Sequence, residues 1–126
     1  VLIRGLPTET EPIEVPPHVT VFNHLDTIDL ALELQQADYI ICRGGYTSLM
    51  ELLSIDKRLI VVPTPGQTEQ EYLAEYLSAQ NIFVTMPQEK FVLQEALAKA
   101  QNFPYDIPQF DMELYKSAIK QFVQSL

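Results

Sequence analysis

The chain has 126 residues, 47% apolar and 20% charged, enough for one globular core but short for a two-lobed enzyme. Its formal net charge of −9 argues against a general nucleic-acid binder, which needs a basic face, and against docking on anionic membranes. Cys42 is the single cysteine, so no internal disulfide can form and a reducing, cytoplasmic setting is expected. No signal-peptide pattern appears, and no apolar run approaches the ~20 residues that span a bilayer.

The chain opens within an apolar strand over residues 1–4 and lacks an initiating Met, which reads as a piece of something longer. Residues 7–17 hold Pro7, Pro12 and the Pro16-Pro17 pair among acidic residues, so they form a loop. A second strand is expected over 19–22. A helix follows over 26–36, with Leu30, Leu34 and Ala37 at i, i+4 and i+7. The third strand covers 38–42, and the helix over 47–55 buries Leu49, Leu52 and Leu53. The fourth strand, 58–62, is continuously apolar, as a strand covered on both faces must be. A helix over 68–80 places Leu73 and Leu77 on one face and stops at Asn81, a residue that tolerates left-handed backbone. A fifth strand covers 82–85, and a helix over 88–100 has Val92, Ala96 and Ala100 in register. A proline-broken connector, 102–110, leads to a last amphipathic helix over 111–126. This alternation predicts an α/β, Rossmann-like parallel sheet with helices on both faces.

The chemistry concentrates between Asp38 and Gln70. A strand runs into a glycine turn and a helix, Arg43-Gly44-Gly45-Tyr46-Thr47-Ser48-Leu49-Met50-Glu51. A second strand runs into Pro63-Thr64-Pro65-Gly66-Gln67-Thr68-Glu69-Gln70. In parallel α/β sheets ligands sit outside the carboxyl ends of the strands, where loops feed helix N-termini whose N–H groups and dipole favour anions. Two such loops carrying hydroxyl, amide and carboxylate groups suit a ligand with both phosphates and many hydroxyls.

Arg43-x-Gly45, Glu51 eight residues after the Arg, a strand ending in Pro63, and then Gln70 resemble the donor-binding half of GT-B glycosyltransferases. The likeness is greatest to the family containing the peptidoglycan enzyme that transfers N-acetylglucosamine to lipid I. It covers about residues 19–85. It implies that residues 1–126 are the C-terminal, UDP-sugar-binding domain of a two-lobed transferase, truncated at its N-terminus. The acceptor and the general base would belong to an N-terminal lobe of the same protein, so no catalytic residue is assigned here. No metal or other cofactor is implied. By position, Gly44 and Gly45 match the turn beside the donor diphosphate, and Thr47 and Ser48 match the hydroxyl-rich helix start. Glu51 matches the carboxylate that binds the ribose hydroxyls. Glu69 and Gln70 match the pair that reads sugar hydroxyls, and Arg43, Gly66 and Gln67 complete the donor set. Asn23 and His24, in the loop 22–25, fall where the base edge lies. The chain departs from the pattern at Leu73, where the family often has Asn, and at Asp56-Lys57, where Gly-Lys is usual.

Each assignment has a structural alternative. Gly44-Gly45 can be a tight turn and nothing more. Arg43 can reach a phosphate or the acceptor, or pair with a nearby acid. Ser48 and Glu51 can form a capping box, as can Thr68 and Glu71; the second would leave Glu69 and Gln70 free. His18 and His24 lack partners at metal-ligand spacing. Cys42 ends an apolar strand, so its thiol is expected to pack. Tyr72 and Tyr76, one turn apart, are expected to line core or an interdomain face, with a stacking platform as the alternative. A 2-epimerase-like isomerase, or a sugar-nucleotide-binding module without chemistry, would use the same fold; the epimerase glycine turn typically continues into Gln-Glu-Glu. An unfilled sheet centre would also favour self-association of the isolated domain.

Overall fold

The computed structural model describes residues 1–109, 120, 121 and 123–125. The chain divides into two compact units, Val1–Ala37 and Asp38–Leu126. In the first, strands β1 (Leu2–Ile3) and β2 (Val21–Phe22) pair in parallel, Leu2 opposite Val21 and Ile3 opposite Phe22. Helix α1 (Thr27–Gln36) is capped by Asp26, whose carboxylate accepts the Asp29 N–H at 2.8 Å. Leu30 and Leu34 are half-buried, as the periodicity predicts, while Ile28 and Leu32 are exposed. The proline-rich loop is tied down by Asn23, which accepts from Arg4 Nη1 at 2.9 Å and donates to the Glu9 carbonyl at 2.8 Å.

The second unit is a three-stranded parallel sheet in the order β3 (Tyr39–Cys42), β4 (Arg58–Val61), β5 (Val84–Thr85). The register aligns Cys42 with Val61 and Val61 with Thr85, so three consecutive loops leave the sheet at one level. Helices α2 (Tyr46–Ser54), α3 (Thr68–Ala79) and α4 (Leu93–Gln101) cover it.

The apolar run of β4 has the expected cause. Leu59 and Val61 join Leu49, Leu53, Ala74 and Phe83 on one side, and Ile60 joins Val84, Ala96 and Ala100 on the other. Alternate residues of one strand therefore enter different clusters, the arrangement that requires an all-apolar strand. Asn81 stops α3 in the left-handed region, φ 62°. Asp56 also lies there, φ 58°, which explains why this turn favours glycine.

The continuous helix expected over 88–100 is not formed. Gln88–Lys90 make a 3-10 turn, closed by Phe91 N–H donating to the Gln88 carbonyl at 3.2 Å. Phe91 and Val92 are extended, and α4 starts at Leu93. Phe91 packs on the Ile60 cluster, anchoring the segment before the helix begins. Val92 is 48% exposed, so the 92/96/100 register counted one residue too many. The connector after α4 belongs to the core: Tyr105 donates its hydroxyl to the Leu59 carbonyl at 3.0 Å and packs on both clusters. Asp106 N–H donates to the Asn81 carbonyl at 2.7 Å. Most of the helix expected over 111–126 lies outside the described residues.

Candidate functional site

The β3–α2 turn presents a helix N-terminus without a side-chain cap. Gly45 is the N-cap, with φ −63° and ψ 131°, and the first helical bond runs from Leu49 N–H to its carbonyl at 3.0 Å. This corrects the capping-box reading of Ser48 and Glu51. The helix starts two residues before Ser48, so Ser48 and Glu51 are out of register for the reciprocal bonds. The N–H groups of residues 46–48 are donors of the kind that open helix ends leave over. No acidic side chain lies in the first turn of α2, and Thr47, Ser48 and Glu51 are exposed. The helix dipole here is therefore not opposed by carboxylates within that turn.

The two glycines differ. A Cβ on Gly44 would meet Gln70 Cβ and Val61 Cγ1 at 3.4 Å each, so Gly44 lets the start of α3 close on this turn. A Cβ on Gly45 would meet nothing within 4 Å. Neither the backbone angles nor the packing in the structure demand glycine at position 45.

The second loop is shaped by its own sequence. Gln67 N–H donates to the Thr64 carbonyl at 3.1 Å across Pro65 and Gly66, with Gly66 at φ 81°. Proline followed by a positive-φ glycine is the signature of a type II turn. Gln70 Oε1 accepts the Thr64 N–H at 2.9 Å, which leaves its amide NH₂ as the group it can offer to a ligand. Glu71 accepts the Gly66 N–H at 3.2 Å, and the N-cap of α3 is Gln67. The expected Thr68–Glu71 capping box is thus replaced by a brace between Glu71 and the turn. Glu69 is exposed in the first turn of α3, so this helix end carries carboxylates where α2 carries none.

Arg43 Nη1 donates to the Val62 carbonyl at 3.4 Å, holding the guanidinium at the carboxyl ends of β3 and β4. An open cleft of about 330 Å³ lies there, lined by Ile41, Cys42, Arg43, Val62, Gln88 and Phe91. A second, of about 460 Å³, runs between Pro63 and Pro65, α3 at Glu71, Glu75 and Ser78, and the turn after β5 at Thr85, Gln88 and Glu89. The loop after β5 borders both clefts through Gln88, and the sequence reading missed it. The carboxyl-end rule that selected the other two loops would have selected this one too.

Burial pushes the Cys42 thiol up to about 11, so it stays protonated at neutral pH and acts as a packed side chain. Among the described residues, no group of three His, Cys, Asp or Glu could hold a metal ion, and no helix is long and apolar enough to cross a membrane. Asn23 and His24 belong to the first unit, where the Asn23 amide is occupied by Arg4 and Glu9 and His24 is exposed. Tyr72 and Tyr76 are not core: they are 65% and 50% exposed.

A family model described as the glycosyltransferase family 28 C-terminal domain matches residues 8–125. The chain belongs to this family. Two relatives carry the name UDP-N-acetylglucosamine--N-acetylmuramyl-(pentapeptide) pyrophosphoryl-undecaprenol N-acetylglucosamine transferase. The one from Lawsonia intracellularis is 32% identical over 73 residues, 56% of this chain and 20% of its own length. The one from Syntrophus aciditrophicus is 34% identical over 92 residues, 68% of this chain and 24% of its own length. The chain thus spans between a fifth and a quarter of the curated relatives it matches. As a family 28 C-terminal domain it has the Rossmann-like, GT-B architecture that the motif order from Arg43 to Gln70 implied.

Proposed function

We propose that this domain holds the UDP-sugar donor of a glycosyltransferase that moves a sugar onto an acceptor hydroxyl, in the cytoplasm. The observation that carries this reading is the approach of Gly44 to Gln70. It sets the acid-free start of α2 beside the carboxylate-bearing start of α3. The two ends then sort the ligand by charge. The diphosphate goes to the N–H groups of residues 46–48 and to Arg43, over the open space at Gly45. The sugar hydroxyls go to Glu69 and the Gln70 NH₂, and the ribose hydroxyls to the exposed Glu51 carboxylate. In the transfer step, the acceptor oxygen bonds to the anomeric carbon as the bond to the phosphate oxygen breaks. The acceptor proton passes to a base in the N-terminal lobe. Charge then builds on the departing diphosphate, where α2 and Arg43 stabilise it.

Titrating the full-length protein with UDP, ADP and GDP under NMR tests this. UDP should bind tightest, with shifts within residues 43–51 and 64–70. Shifts confined elsewhere would overturn the site. An epimerase reading would want Gln-Glu-Glu after the glycines, and the first turn of α2 has no acid. Donor binding with no turnover on any hydroxyl acceptor would mark a binding module instead.

A further inference from the structure

The outer face of α3 carries a feature that donor binding leaves unused. Tyr72 and Tyr76, one helical turn apart, stack with ring centroids 5.9 Å apart and planes 10° from parallel. Both are at least half exposed. With a 3.6-residue period, Glu75 lies about 60° to one side of Tyr72, while Glu69 lies on the other side, only about 20° from the line of Tyr76. Both glutamates are exposed, and α3 (TEQEYLAEYLSA) contains no Lys or Arg. Tyrosine supplies large contact area at low entropic cost and is enriched at interfaces. A flat aromatic pair flanked by carboxylates is complementary to one side chain above others. Arginine has a planar guanidinium that stacks on tyrosine faces while its N–H fork donates to carboxylates. Lysine offers a point charge that can pair with the glutamates but cannot stack.

We propose that the outer face of α3 is a docking surface for an arginine-bearing segment of a protein partner, with Tyr72 and Tyr76 as the stacking platform and Glu75 as its flanking acceptor. This does not depend on the donor assignment.

The test uses the full chain and three decapeptides alternating glycine with arginine, lysine or citrulline, titrated calorimetrically. The arginine peptide should bind about fivefold or more tighter than the lysine peptide, and the citrulline peptide weakest. Tyr72→Ala/Tyr76→Ala preserves charge and places a stronger helix former at both positions. It should bring arginine binding down to the lysine level. Glu75→Gln should weaken both charged peptides together. Equal binding of arginine and lysine peptides by the unaltered chain overturns the proposal. So does arginine binding that survives the double tyrosine change. Self-association of the chain that the double change abolishes would assign the face to a second copy and overturn it as well.

Discussion

Alanine at position 45 separates a ligand-facing glycine from a folding one. Gly45 has backbone angles that any residue adopts, and an added methyl meets nothing within 4 Å. Two small terms oppose each other in Gly45→Ala. Alanine is the poorer N-cap, at a cost of ~0.5–1 kcal/mol, while stiffening the unfolded chain returns about 0.4–1 kcal/mol. The net is within about 1 kcal/mol, so the Tm should move by no more than ~4 °C. In the proposed site binding should respond differently, because the methyl enters the open space at the turn where the diphosphate is placed. Displacing one charge-assisted bond to a phosphate costs about 1.5–3 kcal/mol, or roughly ten- to a hundredfold in affinity. Gly44→Val is the complementary change. Its extra atoms press on Gln70 and Val61, already 3.4 Å from a bare Cβ, and overpacking of this kind costs ~1–3 kcal/mol of stability. Calorimetric titration with UDP and thermal melts of both variants in the full-length protein read the two effects separately. A Gly45→Ala protein that binds UDP like the unaltered one would refute the placement of the diphosphate at this turn.

Other outcomes follow from the same geometry. Glu51 has no capping partner role, since α2 lacks any side-chain cap bond. Both Glu51→Gln and Glu51→Ala should therefore leave the melting temperature nearly unchanged while weakening UDP-sugar binding at least ~tenfold; loss of stability in either would contradict the assigned geometry. Tyr105→Phe removes the hydroxyl bond to the Leu59 carbonyl and should cost about 1 kcal/mol in chemical denaturation. Burial, with a smaller contribution from Tyr39, pushes the Tyr105 phenol from 10.0 up to about 12 against the opposing effect of Arg58. The folded state thus holds this proton more tightly than the unfolded state. Its contribution to stability is complete below pH 10 and lost between pH 10 and about 12. Urea melts across that window should show a decline that Tyr105→Phe reduces. Cys42, raised to about 11, should react with iodoacetamide at pH 8 more slowly in the native protein than in urea. Among the described residues β3 pairs only with β4, and Ile41 is 44% exposed. The isolated chain is expected to associate through that edge, and Ile41→Lys to reduce the association by sedimentation; a monomeric unaltered chain would count against it.

The fold was legible where one residue type answers one physical demand. Continuous apolarity in β4 requires cover on two sides, and Leu59, Ile60 and Val61 are distributed between two clusters. Asn81 and Gly66 hold the left-handed positions that their types tolerate. Failure came where a local pattern competed with a tertiary anchor. The spacing of Val92, Ala96 and Ala100 fits a helix from Gln88, but Phe91 packs on the cluster of Ile60, Val84, Ala96 and Ala100, and the segment forms a 3-10 turn and an extended pair before the helix starts. Tyr105 was illegible for a related reason. Its partner, the Leu59 carbonyl, is 46 residues away, and nothing in a proline-broken connector announces a sheet-bound hydroxyl.

The candidate site shows the same division at closer range. Two of its loops followed from the strand–helix order, because the carboxyl ends of parallel strands are where helix N-termini gather, and the loop after β5 was missed although the same rule selects it. What each side chain does there depended on where the helices begin. A helix capped by Ser48 would make Glu51 a capping partner, whereas one beginning at Tyr46 leaves its carboxylate outside the cap. A few residues of phase decide whether this carboxylate caps the helix or stays exposed, and helix starts inferred from sequence carry an error of that size. The glycines set the phase: Gly44 is small enough for α3 to close on it, and the cap role then falls to Gly45, which offers no side chain to bond the N–H groups of α2. A serine at 45 would cap the helix with its own hydroxyl and use the donors that a diphosphate needs. The uncapped start of α2 is the condition that the proposed diphosphate placement requires.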